Sequence, residues 1–163
     1  MSDINASFEN GKTNLIIGQS GSGKTVLMKC IVGLLTPEKG EVLYDGRNLV
    51  LMGKKEKKML RKEMGMIFQS AALFDSMSVL DNVMFPLNMF SNDTLRDRTK
   101  RAMFCLERVN LTEAKDKFPG EISGGMQKRV AIARAIALNP QYLFCDEPNS
   151  GLEIGRASCR ERV

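Results

Sequence analysis

One stretch near the start of the chain decides its fold, Gly18-Gln19-Ser20-Gly21-Ser22-Gly23-Lys24-Thr25. It fits the phosphate-binding pattern G-x-x-x-x-G-K-[ST] at every position. The apolar run 15–17 predicts a buried strand before the loop, and the apolar residues from Val26 to Leu34 predict a helix after it. A phosphate-binding loop requires this order of strand, loop and helix. The stretch therefore predicts a nucleotide site rather than a glycine-rich turn.

The residue types of this loop suit a bound phosphate. Its glycines allow the backbone N–H groups to turn inward, so that several amides and the helix N-terminus converge on one anion. Lys24 would reach the β- and γ-phosphates, and Thr25 would place its hydroxyl on Mg²⁺. The predicted cofactor-binding residues of the loop are Gly18, Ser20, Gly21, Ser22, Gly23, Lys24 and Thr25.

The composition of the 163 residues is that of a soluble α/β domain, with 43% hydrophobic and 26% charged residues. We find no apolar run of about eighteen residues and no cleavable leader, and so expect neither a membrane span nor a signal peptide. Much of the net charge of +5 lies in helical stretches such as 54–62 and 96–101, where solvated helix faces account for it. On charge alone, DNA and an anionic membrane surface both stay open as partners.

The four cysteines do not predict a metal site or a disulfide. Cys30, Cys105, Cys145 and Cys159 are too far apart in sequence for metal-ligand pairs. The first three have apolar neighbours, and we expect them to be reduced thiols that pack as small hydrophobes.

Hydrophobic periodicity predicts that strands and helices alternate along the rest of the chain. The predicted strands are 41–44, 64–68 and 142–145, the last of which we expect to be buried, and the predicted helices are 54–62, 78–87, 94–109 and one that begins at Ser123. The helices between residues 78 and 109 form an insertion between strands. Gln69 follows an apolar strand, at the sheet edge where open α/β sheets bind ligands.

Two adjacent carboxylates follow the last predicted strand. Four hydrophobic residues and then Asp146-Glu147, downstream of a P-loop, form a Walker-B arrangement. Asp146 can hold Mg²⁺ beside Thr25, while Glu147 can polarise an attacking water as a general base.

The run Ile122-Ser123-Gly124-Gly125-Met126-Gln127 resembles the LSGGQ signature of ATP-binding-cassette (ABC) ATPases. Gln69 matches the Q-loop glutamine of that family, and the order of the four motifs agrees. The resemblance covers about residues 4–152. It implies an α/β P-loop NTPase fold of ABC type, a mostly parallel sheet flanked by helices, with a helical subdomain of about residues 70–122 between the Q-loop and the signature.

The resemblance also implies roles for individual residues. The signature would contact the γ-phosphate of ATP held in the P-loop of a second copy, so that a head-to-tail dimer encloses two nucleotides, and a helix N-terminus would again face phosphate. The implied cofactors are ATP and Mg²⁺. The residues implied are Ser123, Gly124 and Gly125 for ATP, Lys24, Gln69 and Glu147 for catalysis, and Thr25, Gln69 and Asp146 for the metal.

Within the family, residues 68–79 and Met126 are similar to ATPases of the MlaF type, which drive phospholipid transport with MCE-domain partners. This similarity implies a peripheral subunit on the cytoplasmic face of the inner membrane, bound to an integral membrane permease, with an MCE-domain protein as a further partner and no nucleic acid. Leu73 and Phe74 would line the groove for the coupling helix of the permease, although burial is the more common role of apolar residues.

The sequence departs from the family pattern in three ways. The first departure below predicts weaker adenine binding, and the other two predict that this chain hydrolyses ATP poorly or not at all. The upstream aromatic residue that stacks on adenine is missing, and the chain contains no histidine where the family has a switch histidine. The D-loop begins at residues 149–152, but Glu153 stands where the family has aspartate.

Other functions stay open at this point. An ABC ATPase for a different substrate is one alternative, and a non-transport ABC protein acting on DNA or ribosomes is another. Non-transport members of the family that act in repair and condensation carry coiled coils or zinc-binding cysteines between the P-loop and the signature. This sequence has neither feature there. A P-loop kinase for small molecules would not need Ser123-Gly124-Gly125.

Residues 153–163 are predicted to be a non-native tail, because one isolated isoleucine and one valine among charged residues cannot join a core. One permitted back-translation of this tail, taken from its second base, matches a short-read sequencing adapter. We expect resequencing of the genomic locus to give a different sequence after Leu152. Genomic bases that encode the tail as printed, without adapter sequence, would show that the tail belongs to the protein.

Overall fold

The computed structural model of the chain describes residues 3–146. The chain forms two compact units, with the boundary between Lys54 and Lys55. The predicted base Glu147, the start of the D-loop and the tail 153–163 lie outside the described residues.

The first unit contains one helix and one hairpin. Helix α1 spans Lys24–Ile31, and strands β1 (Leu43–Tyr44) and β2 (Arg47–Asn48) pair antiparallel. Asp45 and Gly46 connect the strands with φ angles of 48° and 78°, the left-handed conformation that a tight two-residue hairpin requires. The Tyr44 hydroxyl donates to the Ile31 carbonyl at 2.8 Å, which attaches the hairpin to the end of α1.

The predicted buried strand at residues 15–17 is wrong. This segment has no assigned strand, and the exposed fractions of Leu15 and Ile17 are 79% and 84%. A strand is fixed by hydrogen bonds to a neighbouring strand. Within residues 3–54 the only strands are β1 and β2, and these pair with each other.

The second unit begins with the charged helix that the sequence predicted. Helix α2 spans Lys54–Lys62 and carries six basic residues against one acidic residue, Glu56. The rest of the chain contains equal numbers of basic and acidic residues, so the net charge of the chain equals that of this helix. Leu60 is its buried residue, and most of its cationic side chains are exposed.

The remaining β-strands and α-helices of the second unit agree in order with the prediction. They are β3 (Met64–Ile67), α3 (Val79–Phe90), α4 (Leu95–Arg108), α5 (Gly124–Ile136) and β4 (Tyr142–Cys145). Ser78, Thr94 and Ser123 cap the three helices, each accepting a backbone N–H three residues further on. No helix within residues 3–146 is long and apolar enough to cross a membrane.

Helices α3, α4 and α5 share one hydrophobic core. Its fully buried side chains include Val83 of α3, Leu106 of α4 and Val130 of α5. Cys105 lies in the same core, and burial raises the pKa of its thiol against the opposing charges of Arg101 and Arg108. The predicted insertion between strands is therefore packed on α5.

Strands β3 and β4 pair in parallel, with Met64 opposite Tyr142 and Ile67 opposite Cys145. The predicted burial of β4 is wrong, because Leu143 is 49% exposed and Cys145 is also exposed. Within residues 55–146 this strand has a neighbour on one side only. The expectation that Cys145 packs as a small hydrophobe is corrected for the same reason.

Helix α5 approaches the sheet closely at Gly65 of β3. A Cβ at this position would lie 2.5 Å from the Ala135 carbonyl oxygen and 2.9 Å from Cδ1 of Leu143. A methyl group cannot be accommodated there unless the backbone of α5 moves.

We therefore expect Gly65→Ala to lower the free energy of unfolding by about 2 kcal/mol, the usual cost of overpacking a close contact. Urea unfolding followed by circular dichroism measures this loss. The control is Gly120→Ala, because a Cβ at Gly120 would meet no heavy atom within 4 Å. Equal stabilities of the two variants would contradict the close contact.

Candidate nucleotide-binding site

The phosphate-binding loop lies in the first unit and ends at the start of α1. Gly21 and Gly23 have φ angles of 79° and 96°, which a residue with a Cβ rarely adopts. The Lys24 ammonium donates to the carbonyls of Gly18 and Gln19, both at 2.8 Å. A Cβ on Gly18 would lie 2.8 Å from Oγ of Ser22. The loop is thus a tight backbone cradle with its one cation held across it.

The N-termini of α1 and α5 are electrostatically alike. Neither helix carries an acidic residue in its first turn, whereas α2, α3 and α4 each carry one. An acidic side chain at that position would neutralise the positive end of the helix dipole. Gly23, the N-cap of α1, also provides no side-chain acceptor. Both helix ends therefore remain suited to an anionic ligand.

The parallel pairing of β3 with β4 brings two predicted site residues to the same edge of the sheet. The Asp146 N–H donates to the Ile67 carbonyl at 2.9 Å, which continues the ladder by one bond beyond β4. Gln69 follows β3 by two residues and is exposed, while Asp146 directly follows β4 and is half-buried. The predicted position of Gln69 at the carboxyl edge of its strand is confirmed.

The signature segment forms the N-terminus of α5. Oγ of Ser123 accepts the Met126 N–H at 3.3 Å, and a hydroxyl in this role still has its own proton to donate. A Cβ on Gly124 or Gly125 would meet no heavy atom within 4 Å. Packing within the described residues therefore does not require glycine at these two positions. Gln127 donates to the Pro119 carbonyl at 2.8 Å and fixes the turn before the helix.

Two residues that sequence reasoning missed hold the segment after Gln69. Arg134 of α5 donates to the carbonyls of Ala71 and Ala72, and burial lowers the pKa of its guanidinium. Asn82 is fully buried, accepts the Phe74 N–H at 2.9 Å and donates to the Phe74 carbonyl at 3.1 Å. One sequence signal was available for Arg134, which interrupts the otherwise apolar run 130–138.

Leu73 and Phe74, the candidate partner contacts, have different surroundings. Leu73 is half-buried and packs against the helical core. Phe74 is 40% exposed, and its ring lies 4.6 Å from that of Phe85. Phe74 therefore retains a surface that a partner could contact.

The residues present fit a magnesium nucleotide. In the first unit, the Gly18 cradle and Lys24 supply N–H groups and one positive charge for phosphate, and Thr25 supplies a hydroxyl oxygen. In the second unit, Asp146 supplies a carboxylate oxygen, and both are hard oxygen donors of the kind that Mg²⁺ prefers. Among the described residues no group of three or more His, Cys, Asp and Glu side chains could hold a metal by itself. This fits Mg²⁺, which is usually held by one or two protein ligands together with phosphates.

A glycine-rich loop before α1, together with polar residues at the carboxyl edge of a parallel sheet, defines a P-loop nucleotide-binding protein of α/β class. The model of the family described as ABC transporter matches residues 1–150. The chain therefore belongs to the ABC transporter family of ATP-binding proteins.

Several known proteins are similar to the chain. It is 42% identical over 156 residues to the probable ribonucleotide transport ATP-binding protein mkl of Mycobacterium leprae, covering 96% of this chain and 45% of that protein. It is 43% identical over 149 residues to the intermembrane phospholipid transport system ATP-binding protein MlaF of Haemophilus influenzae, covering 91% and 56%. The chain thus spans about half the length of the curated relatives that it matches.

A solved structure confirms the fold class. MJ0796, a bacterial ABC transporter cassette solved as a dimer, superposes with a TM-score of 0.85 at 34% identity, over 91% of this chain and 66% of that one. A second dimeric structure of MJ0796, in a post-hydrolysis state bound to ADP and Pi, superposes with a TM-score of 0.73 at 35% identity, over 80% and 58%.

We predict that Lys24 supplies much of the affinity for nucleotide. We expect Lys24→Ala to weaken Mg-ATP binding by at least about tenfold, because a charge-assisted hydrogen bond to phosphate is lost. Isothermal titration calorimetry measures the affinity. Lys29→Ala is the matched control, since Lys29 is an exposed lysine of the same helix. Unchanged affinity in the Lys24 variant would refute the assigned role of the loop.

Proposed function

We propose that this chain is the nucleotide-binding part of an ATPase subunit that drives a membrane transporter. The observation that carries the proposal is the parallel β3–β4 ladder, since it delivers Gln69 and Asp146 to one sheet edge in a chain that also has a P-loop. Membership of the ABC transporter family supports the same conclusion.

In this proposal the nucleotide is bound mainly through its phosphates. Lys24 and the loop amides would hold the β- and γ-phosphates, and Thr25, Gln69 and Asp146 would hold Mg²⁺, which would neutralise phosphate charge when bound. Glu147 takes the proton of the attacking water as general base. Ser123, Gly124 and Gly125 bind the γ-phosphate of ATP carried by a second subunit in a head-to-tail dimer. The dimeric structure of MJ0796 supports a dimer.

The segment after Gln69 is the proposed contact with the permease. Phe74 is exposed there and its ring lies against that of Phe85, while Leu73 packs against the helical core. Contact at this place would connect the partner to β3, the strand that leads to Gln69. We also propose that the subunit lies peripherally on the cytoplasmic face of the inner membrane.

Phospholipid is the proposed cargo, with an MCE-domain protein as a further partner. The similarity of residues 68–79 and Met126 to the MlaF type supports it, as does the 43% identity to MlaF. A ribonucleotide is the second candidate, because the mkl protein is 42% identical.

The proposed function predicts a complex with a permease. The gene is expressed with its neighbouring membrane-protein genes, and the complex is purified in detergent through a tag on the ATPase. We expect the permease to co-purify, and Mg-ATP hydrolysis to rise several-fold when anionic phospholipid is added.

The complex carrying Lys24→Ala is the control, and we expect its hydrolysis to fall by about a hundredfold or more, because one charged donor to the transition state is removed. Stimulation by ribonucleotides but not by phospholipid would replace the proposed cargo. Retention of the ATPase on a DNA column, without any permease, would overturn transport itself.

A further inference from the structure

Arg134 connects two parts of the second unit that are 62 residues apart in sequence. Its Nη1 donates to the Ala72 carbonyl at 2.9 Å, and its Nη2 donates to the Ala71 carbonyl at 3.0 Å. Both carbonyls belong to the segment that directly follows Gln69. Arg134 itself lies in α5, the helix that begins at the signature residue Ser123.

The segment held by Arg134 has little support from its own backbone. Within residues 70–77 one backbone hydrogen bond is formed among the described residues, from the Met77 N–H to the Phe74 carbonyl. Ala72 has a φ angle of +48°, which is uncommon for a residue with a Cβ. Such a conformation persists only where the surroundings hold it.

Two side chains hold the segment in place. Arg134 binds the first half of the segment through its two hydrogen bonds, and its guanidinium carbon also lies 6.0 Å from the centre of the Phe74 ring. Asn82 of α3 binds the second half through the Phe74 N–H and through the carbonyls of Phe74, Met77 and Ser78. The position of the segment therefore depends on where α5 and α3 lie.

We propose that Arg134 is a positioning residue that couples the segment after Gln69 to the signature helix, so that a displacement of one is transmitted to the other. The mechanical link is a property of the second unit alone. Its consequence for transport rests on the proposed function, in which the segment contacts the permease and the N-terminus of α5 contacts nucleotide.

Arginine is suited to this role in a way that lysine is not. Its planar guanidinium places two N–H groups in parallel, which matches two successive carbonyl oxygens. A lysine at the same position keeps the charge, but its single nitrogen, on a shorter side chain, cannot occupy both guanidinium nitrogen positions that face the two carbonyls. Arg134→Lys therefore removes the two-point attachment with little change in charge or volume.

The primary test measures hydrogen exchange by NMR in the 163-residue chain. The probe is the Phe74 amide, which is hydrogen-bonded to Asn82, and the reference probes are the Val130 and Ala133 amides of α5. We expect Arg134→Lys to raise the exchange rate of Phe74 by about tenfold, the effect of losing one hydrogen bond, and to leave the reference amides within about twofold.

Arg129→Lys is the matched control for this measurement. Arg129 lies on the same helix and also donates to a backbone carbonyl, that of Val109 at 3.2 Å, but it does not contact the segment after Gln69. We expect it to leave the Phe74 exchange rate unchanged. Faster exchange of Phe74 and α5 in parallel would assign Arg134 a merely structural role and overturn the proposal, and so would unchanged exchange of Phe74.

A second measurement separates the link from its consequence. In the permease complex, we expect Arg134→Lys to leave the Mg-ATP affinity within about twofold, because the P-loop belongs to the other unit, and to reduce stimulation of hydrolysis by phospholipid at least fivefold. Full stimulation together with faster Phe74 exchange would overturn the transmission of displacement. A complex that binds no ATP would refute the proposed function, while the exchange result would stand.

Discussion

The parallel pairing of β3 with β4 is the constraint on which the site residues of the second unit depend. The two strands are separated in sequence by three helices, and their pairing is what brings Gln69 and Asp146 to one edge. The pairing in turn requires α5 to pack closely on β3, which is possible because Gly65 has no side chain. A four-residue ladder thus places side chains that lie far apart along the chain, and the helical core stabilises the ladder.

The proposed anion binding has a different physical origin. It depends on the local backbone conformation of the P-loop and on the absence of carboxylates from the first turns of two helices. The P-loop needs positive φ angles at Gly21 and Gly23, and glycine adopts these at no steric cost. The first turns of α1 and α5 contain no carboxylate, unlike those of the other three α-helices within residues 3–146. Because both features are local, they can be recognised in the sequence itself.

The relatives named for phospholipid and for ribonucleotide transport match this chain almost equally well. In the proposed function the P-loop contacts phosphate, which is common to every transporter that uses ATP, so its residues do not distinguish one cargo from another. Specificity for cargo must then come from the surfaces that meet the partner proteins. In the described residues the segment around Phe74 is the surface best placed for that contact, being exposed and held by Arg134 and Asn82.

The sequence by itself determined the P-loop, the helix starts at Ser78, Thr94 and Ser123, and the position of Gln69 after β3, because capping, glycine conformation and hydrophobic periodicity act over a few residues. Tertiary structure alone decided which strands pair, how far they are buried, and which side chains hold the segment after Gln69. Residues 15–17 and Leu143 look like buried strand positions but are exposed, since burial depends on neighbours that apolar character does not specify. The contact of Arg134 with Ala71 and Ala72 spans more than sixty residues, a distance at which no local pattern carries information.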